Sequence, residues 1–306
     1  MTAALIHYLH KPLPTAADLP HSDDTPVDNE LQDDVPHILK DTLKRIWADR
    51  QDWFFGIDMG VYYNPDEPAI VPDGFLSLGV ERLKGTDGRL SYVLWEEQNI
   101  MPILAIEVIS RTYSQEYQQK MQDYQDLGIL YYAVYNLRAG RRGKFRQRKS
   151  LEIYKRVKGA YQLQTGNPNQ PGNPLWMPEI GLGLGCEIQS HGGWRRPWLY
   201  WYTAEGERYL TPEEVCHQAE AQRQAAEALA AQEQAQRQAA ETLAAQEQAQ
   251  RQAAEALAAQ EQAQRQAAET LAAQEQTRRE AAEQRLAQLQ ARLEALGLGE
   301  EPQGDA

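Results

Sequence analysis

Apolar residues recur at helical spacing between His37 and Arg50, where Ile38, Leu39, Leu43, Ile46 and Trp47 share one side of a 3.6-residue wheel. Trp53 to Tyr63 then turns aromatic and β-branched, as strands favour. Asn64-Pro65-Asp66-Glu67-Pro68 has turn chemistry, Ala69 to Leu78 reads as a second strand, and Pro102 to Ile109 as a third. The third is almost continuously apolar, which predicts a strand covered on both faces. Tyr113 to Leu127 reads as a helix that Gly128 stops, and Ile129 to Leu137 as another strand. Leu151 to Val157 and Ala160 to Gln164 read as a hairpin around Lys158-Gly159. Helix, strands, helix and strand in that order argue for an α/β domain around one sheet. Residues 166–206, rich in Gly, Pro and Trp, read as loops and short strands.

The pattern changes at Thr211. Thr211-Pro212-Glu213-Glu214 is a helix start, with Thr as N-cap, Pro in the first turn and Glu214 closing a capping box. No Gly then occurs until Gly297, and a 14-residue unit beginning AEAQRQAAEALAAQ at Ala219 repeats four times. Its Ala, Gln, Glu and Arg are good helix formers, so a long helix is expected. Fourteen residues are two heptads, which suggests a coiled coil and a homo-oligomer through this C-terminal helix. The seam is thin: Leu229, Leu243, Leu257 and Leu271 come every second heptad, and only Leu286, Leu289, Leu293 and Leu296 alternate by three and four. A solvated single helix held by propensity and charge pairs is the competing reading.

Composition adds boundaries. With 306 residues, 42% hydrophobic and 25% charged, the chain can bury a real core. The expected organisation is a lead-in or strap over 1–36, a globular domain over 37–210, a helical tail over 211–298 and a disordered end over 299–306. Cys186 and Cys216 are the two cysteines, which argues against a disulfide framework and for the cytoplasm. No apolar run reaches the ~20 residues needed to span a bilayer, so no membrane partner is expected, and MTAALIHYLH is too short and polar for a signal peptide. The net charge of −13 sits at the ends: seven acids against one base in residues 1–36, and seventeen against eight in 211–306. Residues 37–210 carry twenty acids and twenty-two bases, which leaves room for a polyanionic partner.

Three residues carry candidate chemistry. Glu107 lies inside Ile103-Leu104-Ala105-Ile106-Glu107-Val108-Ile109, where a carboxylate loses its hydration and needs a cation or strong donors. Asp73 follows Pro72, which lacks an N–H and suggests a strand edge or bulge. Lys120 lies between Tyr117 and Tyr124 on the apolar stripe of its helix, so its ammonium is directed at the sheet. Bland alternatives exist for each: a structural ion pair for Glu107, a Pro-Asp-Gly turn for Asp73, snorkelling for Lys120. Together, two carboxylates can hold Mg²⁺ while a lysine orients the nucleophile and stabilises developing negative charge.

Pro72-Asp73, Glu107-Val108-Ile109-Ser110, Lys120, Tyr124, Gly128 and the strand from Ile129 to Leu137 resemble the Uma-two family of the PD-(D/E)XK nuclease superfamily. The superfamily's usual lysine, two residues after the glutamate, is here Ile109; in Uma-two-like sequences it comes from the following helix, which Lys120 fits. The resemblance implies a restriction-endonuclease-like mixed central sheet flanked by helices. It also implies an endonuclease hydrolysing DNA phosphodiester bonds, with Asp73 and Glu107 on Mg²⁺ (or Mn²⁺) and Lys120 assisting. Glu30, in Glu30-Leu31, and Asp58 are candidates for a further acid. The alternative is a catalytically inactive nuclease-fold protein that binds DNA or protein and assembles through its coiled coil. The acid-free basic run around Arg138, Arg141, Arg142, Lys144, Arg146, Arg148 and Lys149 is either a phosphate contact, with Arg141, Arg142, Lys144 and Arg146 foremost, or a solvated loop. Gly181, Gly183 and Gly185 read as a turn, and Trp194, Trp198 and Trp201 as packing. The six His and two Cys show no zinc spacing.

Overall fold

In the computed structural model the described residues are 12–20, 30–109, 117–140 and 146–296. Helix α1 (Glu30–Ile46) leads into β1 (Trp53–Ile57), β2 (Val61–Tyr62), β3 (Gly74–Leu78), β4 (Tyr92–Val93) and β5 (Leu104–Ile109). Helix α2 (Gln119–Leu127), β6 (Tyr131–Asn136), β7 (Leu151–Val157) and β8 (Ala160–Leu163) follow. Then come β9 (Leu175–Met177), β10 (Leu182–His191), β11 (Trp194–Tyr202) and α3 (Pro212–Ala295). The chain divides into two compact units, 1–219 and 220–306.

The central sheet has the order β1-β3-β5-β6-β7-β8. β5 and β6 are parallel and the other neighbours antiparallel, so the sheet is mixed, with α2 within the β5–β6 crossover. β5 is buried along its whole length, as its apolar run predicts. Leu104, Ile106 and Val108 join the core that contains Val35, Leu39 and Leu43 of α1 and residues of β10 and β11. Ala105 and Ile109 join Tyr124 of α2 and Tyr132 of β6 in a second cluster.

Several boundaries differ from expectation. α1 begins at Glu30, so residues 30–36 are helix rather than lead-in. Pro36 inside it removes the hydrogen bond to the Gln32 carbonyl. Leu31 and Val35 extend the apolar stripe backwards, and burial of Val35, Ile38, Leu39 and Leu43 offsets that loss. The second expected strand shortens to Gly74–Leu78, because Pro72 has no N–H for a ladder; Ile70 makes only an isolated bridge to Val61. The Tyr113–Leu127 helix is observed as α2 from Gln119; Tyr113 and Ser110 lie outside the described residues. Gly128 ends it in the left-handed conformation, φ 88°.

Residues 166–206 hold more structure than their composition suggests. β10 and β11 form an antiparallel hairpin of ten- and nine-residue strands. Gly183 and Gly185 lie inside β10, not in a turn. A Cβ on Gly185 would stand 2.7 Å from the Tyr202 ring, so the glycine makes room for the neighbouring strand's aromatic. Trp198 and Trp201 are fully buried, as packing requires, whereas Trp194 is 48% exposed.

Helix α3 supplies the second unit's residues from Glu220 to Ala295, and its 84 residues span on the order of 125 Å at ~1.5 Å each. The capping box forms: Glu214 N–H donates to Thr211 Oγ1 (3.2 Å), and Thr211 N–H to Glu214 Oε2 (2.8 Å). No residue of α3 is buried, and Leu229, Leu243, Leu257 and Leu271 face solvent. No described helix is long and apolar enough to cross a membrane.

Candidate active site

Strand register sets the site. Ile57 of β1 opposes Gly74 of β3, and Gly74 opposes Ile106 of β5. One residue further along, the same register aligns Asp58, Asp73 and Glu107; Glu107 pairs with Val134, and Val134 with Glu152. Residues so aligned share a face. Glu107 and Glu152 therefore share a face with Val134 between them, and Asp73 and Asp58 continue the row one residue past the ladder ends of β3 and β1.

Pro72 ends the β3 ladder, so the Val108 N–H finds the Asp73 side chain, donating to Oδ2 at 2.6 Å. Gln32 Nε2, in the first turns of α1, donates to the other oxygen, Oδ1, at 2.7 Å. Pro36 of the same helix lies against Gly74, which brings Gln32 within reach. Glu107 is 1% exposed. Lys120 Nζ donates to its Oε2 at 2.7 Å, and the Tyr124 hydroxyl to its Oε1 at 2.5 Å. Lys120 and Tyr124 lie four residues apart on α2, one turn, so both reach the same carboxylate. The Lys120 side chain is 36% exposed, so its ammonium bridges the buried glutamate and solvent.

Burial pushes the Glu107 carboxyl up to about 8, and the neighbouring Asp73 charge adds to the rise; Lys120 and Tyr124 oppose it. Asp73 is also raised, by burial above all, with Gln32 and Val108 opposing and Asp58 adding repulsion. Both carboxyls therefore hold on to their protons, because fully ionised they would carry more negative charge than one ammonium balances. A divalent cation would offset that repulsion, and hard carboxylate oxygens are donors that would suit Mg²⁺. Among the described residues no group of three or more His, Cys, Asp or Glu is placed to hold a metal ion.

The structure thus brings Asp73, Glu107 and Lys120 together. Asp58 stands beside Asp73, its N–H donating to the Asp73 carbonyl (3.3 Å), with its own backbone at φ 45° as the chain leaves β1. Glu30 is exposed at the start of α1; Gln32, two residues on, reaches Asp73 instead. Arg146 is exposed, and Arg141, Arg142 and Lys144 lie outside the described residues.

Sequence reasoning missed the roles of Gln32, Tyr124 and Glu152. The one-turn spacing of Tyr124 from Lys120 was a usable signal. Glu152 closes the row, accepting from the Tyr154 hydroxyl (2.8 Å), Arg148 Nη1 (3.1 Å) and Lys149 N–H (3.3 Å). Only strand pairing reveals its place, and nothing local marked Gln32.

A model of the Uma2 family, described as "Putative restriction endonuclease", matches residues 25–189. A crystal structure described as a "putative nuclease belonging to DUF820" from Anabaena variabilis ATCC 29413 is similar at 10% identity and a TM-score of 0.35, covering 55% of this chain and 90% of that one. No curated protein matches the chain.

Proposed function

Since the chain belongs to the Uma2 family of restriction-endonuclease type, we propose that it hydrolyses DNA phosphodiester bonds in a Mg²⁺-dependent reaction at Asp73, Glu107 and Lys120. The observation that carries this reading is the contact of a buried glutamate with a half-exposed lysine, one register step from a buried aspartate. Asp73 and Glu107 would hold the metal. When bound, Mg²⁺ supplies a Lewis acid that lowers the pKa of water and neutralises the scissile phosphate.

The protein's own groups do the positioning. Gln32 and the Val108 N–H fix the two Asp73 oxygens, so that carboxylate is held before any ligand arrives. Tyr124 fixes one oxygen of Glu107 from within the core. Lys120 holds the other and keeps ammonium protons directed outward, able to donate to an attacking water or to a phosphate oxygen as charge accumulates. Exposed Arg146 adds charge near the start of β7, and with Arg141, Arg142 and Lys144 we assign it to backbone phosphates without base choice. We further assign the exposed leucines of α3 to a coiled coil between copies of the chain.

The test is plasmid cleavage by the full chain with MgCl₂, with MnCl₂ and with EDTA. Metal-dependent nicking that Asp73→Asn and Glu107→Gln abolish is expected. Metal-stimulated cleavage at wild-type rate in both variants would overturn the assignment. No cleavage at all would leave a non-catalytic binding module, the reading that engagement of both Glu107 oxygens by Lys120 and Tyr124 favours.

A further inference from the structure

The β10–β11 hairpin packs with α1 on the face of the central sheet opposite Glu107 and α2, and runs towards the same end. β10 starts near the beginning of β6, where the Tyr131 hydroxyl donates to Glu179 Oε2 (2.5 Å), three residues before the strand. β11 meets the far end of β6, where the Tyr135 hydroxyl donates to the Pro197 carbonyl. Tyr135 pairs with Val108, the residue after Glu107. The hairpin therefore runs along the central sheet towards the catalytic end, and its tip continues past Pro197. Trp194 lies three residues further, roughly 10 Å at ~3.4 Å per residue.

That tip is basic and aromatic. Residues 188–197 contain no acid, and they contain Arg195, Arg196, His191 and Trp194. Arg195 and Trp194 are exposed, and the strand alternation puts Arg195 on the side of β11 that sends Trp201 Nε1 to the Leu39 carbonyl of α1. Arg196 is braced over Trp198, 5.8 Å from its centroid. Nearby acids are engaged: Glu213 by His191 (3.0 Å) and Glu187 by Gln189 (2.6 Å) and Arg208 (3.6 Å). At the same end Arg138 follows β6, and Arg146 precedes β7.

We propose that the tip of the β10–β11 hairpin, through Arg195 and Trp194, grips the phosphate backbone of a nucleic-acid duplex lying across the catalytic end of the sheet. A two-stranded ribbon fits a duplex groove, and the Arg195 guanidinium, exposed and without an ion-pair partner among the described residues, suits a phosphate. This inference deepens the nuclease reading by assigning a second contact on the substrate, on the opposite strand connection from the basic run before β7.

The test measures binding, not cleavage. A fluorescein-labelled 20-base-pair duplex is titrated with the full chain in EDTA at several salt concentrations. Arg195→Ala and Trp194→Ala are compared with Lys158→Gln, which removes an exposed charge from the β7–β8 turn at the other end of the sheet. Expected is a 5- to 10-fold loss of affinity in Arg195→Ala, with a log–log salt slope smaller by about 0.9, and a several-fold loss in Trp194→Ala. Lys158→Gln should match wild type. Equal affinities and slopes in Arg195→Ala and Lys158→Gln would overturn the proposal, as would an Arg195 effect seen with single strands alone. Duplex binding that depends on Arg195 in a protein without nuclease activity would sustain this proposal while refuting the nuclease reading.

Discussion

Replacing Glu107 with Gln keeps the side chain's shape and removes its charge. The amide oxygen can face Lys120, and its NH₂ can donate to the Tyr124 hydroxyl. The folded carboxyl sits near pH 8, against 4.5 for an ordinary glutamate. As pH rises above ~4.5 the unfolded chain releases this proton first, so it binds fewer protons than the native state and stability falls until about pH 8. Integrated, the cost is under ~1 kcal/mol at pH 5, ~3 kcal/mol at pH 7 and ~5 kcal/mol above pH 9. Without metal, Glu107→Gln should therefore be more stable than wild type by about those amounts, with the gap widening with pH. Urea unfolding in EDTA followed by tryptophan fluorescence measures it cleanly, because all seven tryptophans precede the tail. A Glu107→Gln protein less stable than wild type at pH 8 would refute the reasoning: the Lys120–Glu107 pair would then be a net stabilising structural ion pair, not a site held at the expense of stability.

Other consequences follow from the same contacts. Lys120→Ala removes the solvent-facing ammonium and should lower single-turnover cleavage by ~100-fold, whereas a loss under threefold would remove the lysine from the reaction. Tyr124→Phe takes away the buried donor to Glu107 Oε1, so the acidic limb of the cleavage pH profile should move to higher pH by on the order of 1 unit. An unmoved limb would mean that the hydroxyl does not tune the carboxylate. Changing Leu229, Leu243, Leu257 and Leu271 together to Gln leaves helix propensity nearly intact but deletes the seam. Sedimentation velocity should show wild-type oligomers become monomers, and identical sedimentation of the two proteins would contradict a coiled coil through these leucines.

The acids at Asp73 and Glu107 were legible because each stands in an apolar run, where ionisable groups are costly and so conspicuous. Lys120 was legible because helical periodicity places it among tyrosines. What escaped depends on pairing across the sheet. Asp58 was legible as an acid in an apolar run, but Glu152 joins the row only through strand register, which no single segment encodes. Gln32 escaped because Pro36 reads locally as a barrier to helix, while burial of Val35 and Leu39 carries α1 through it. Gly183 and Gly185 misled for the reverse reason: they read as a turn, yet they lie within a long hairpin, where Gly185 gives the Tyr202 ring space and Gly183 makes room for Pro174. Composition could not separate Trp194 from Trp198 and Trp201, because exposure follows position along the strand: Trp194 opens β11 at the hairpin tip, whereas Trp198 and Trp201 lie deeper in it.

Calorimetric titration of Mg²⁺ into the full chain at pH 7, repeated in two buffers of different ionisation enthalpy, addresses the cation site itself. With the Glu107 carboxyl near 8, that group is about nine-tenths protonated at pH 7, so binding should release ~0.9 proton per Mg²⁺. The release should vanish in Glu107→Gln. Mg²⁺ binding without proton release, or binding of equal strength in Glu107→Gln and Asp73→Asn, would contradict the account.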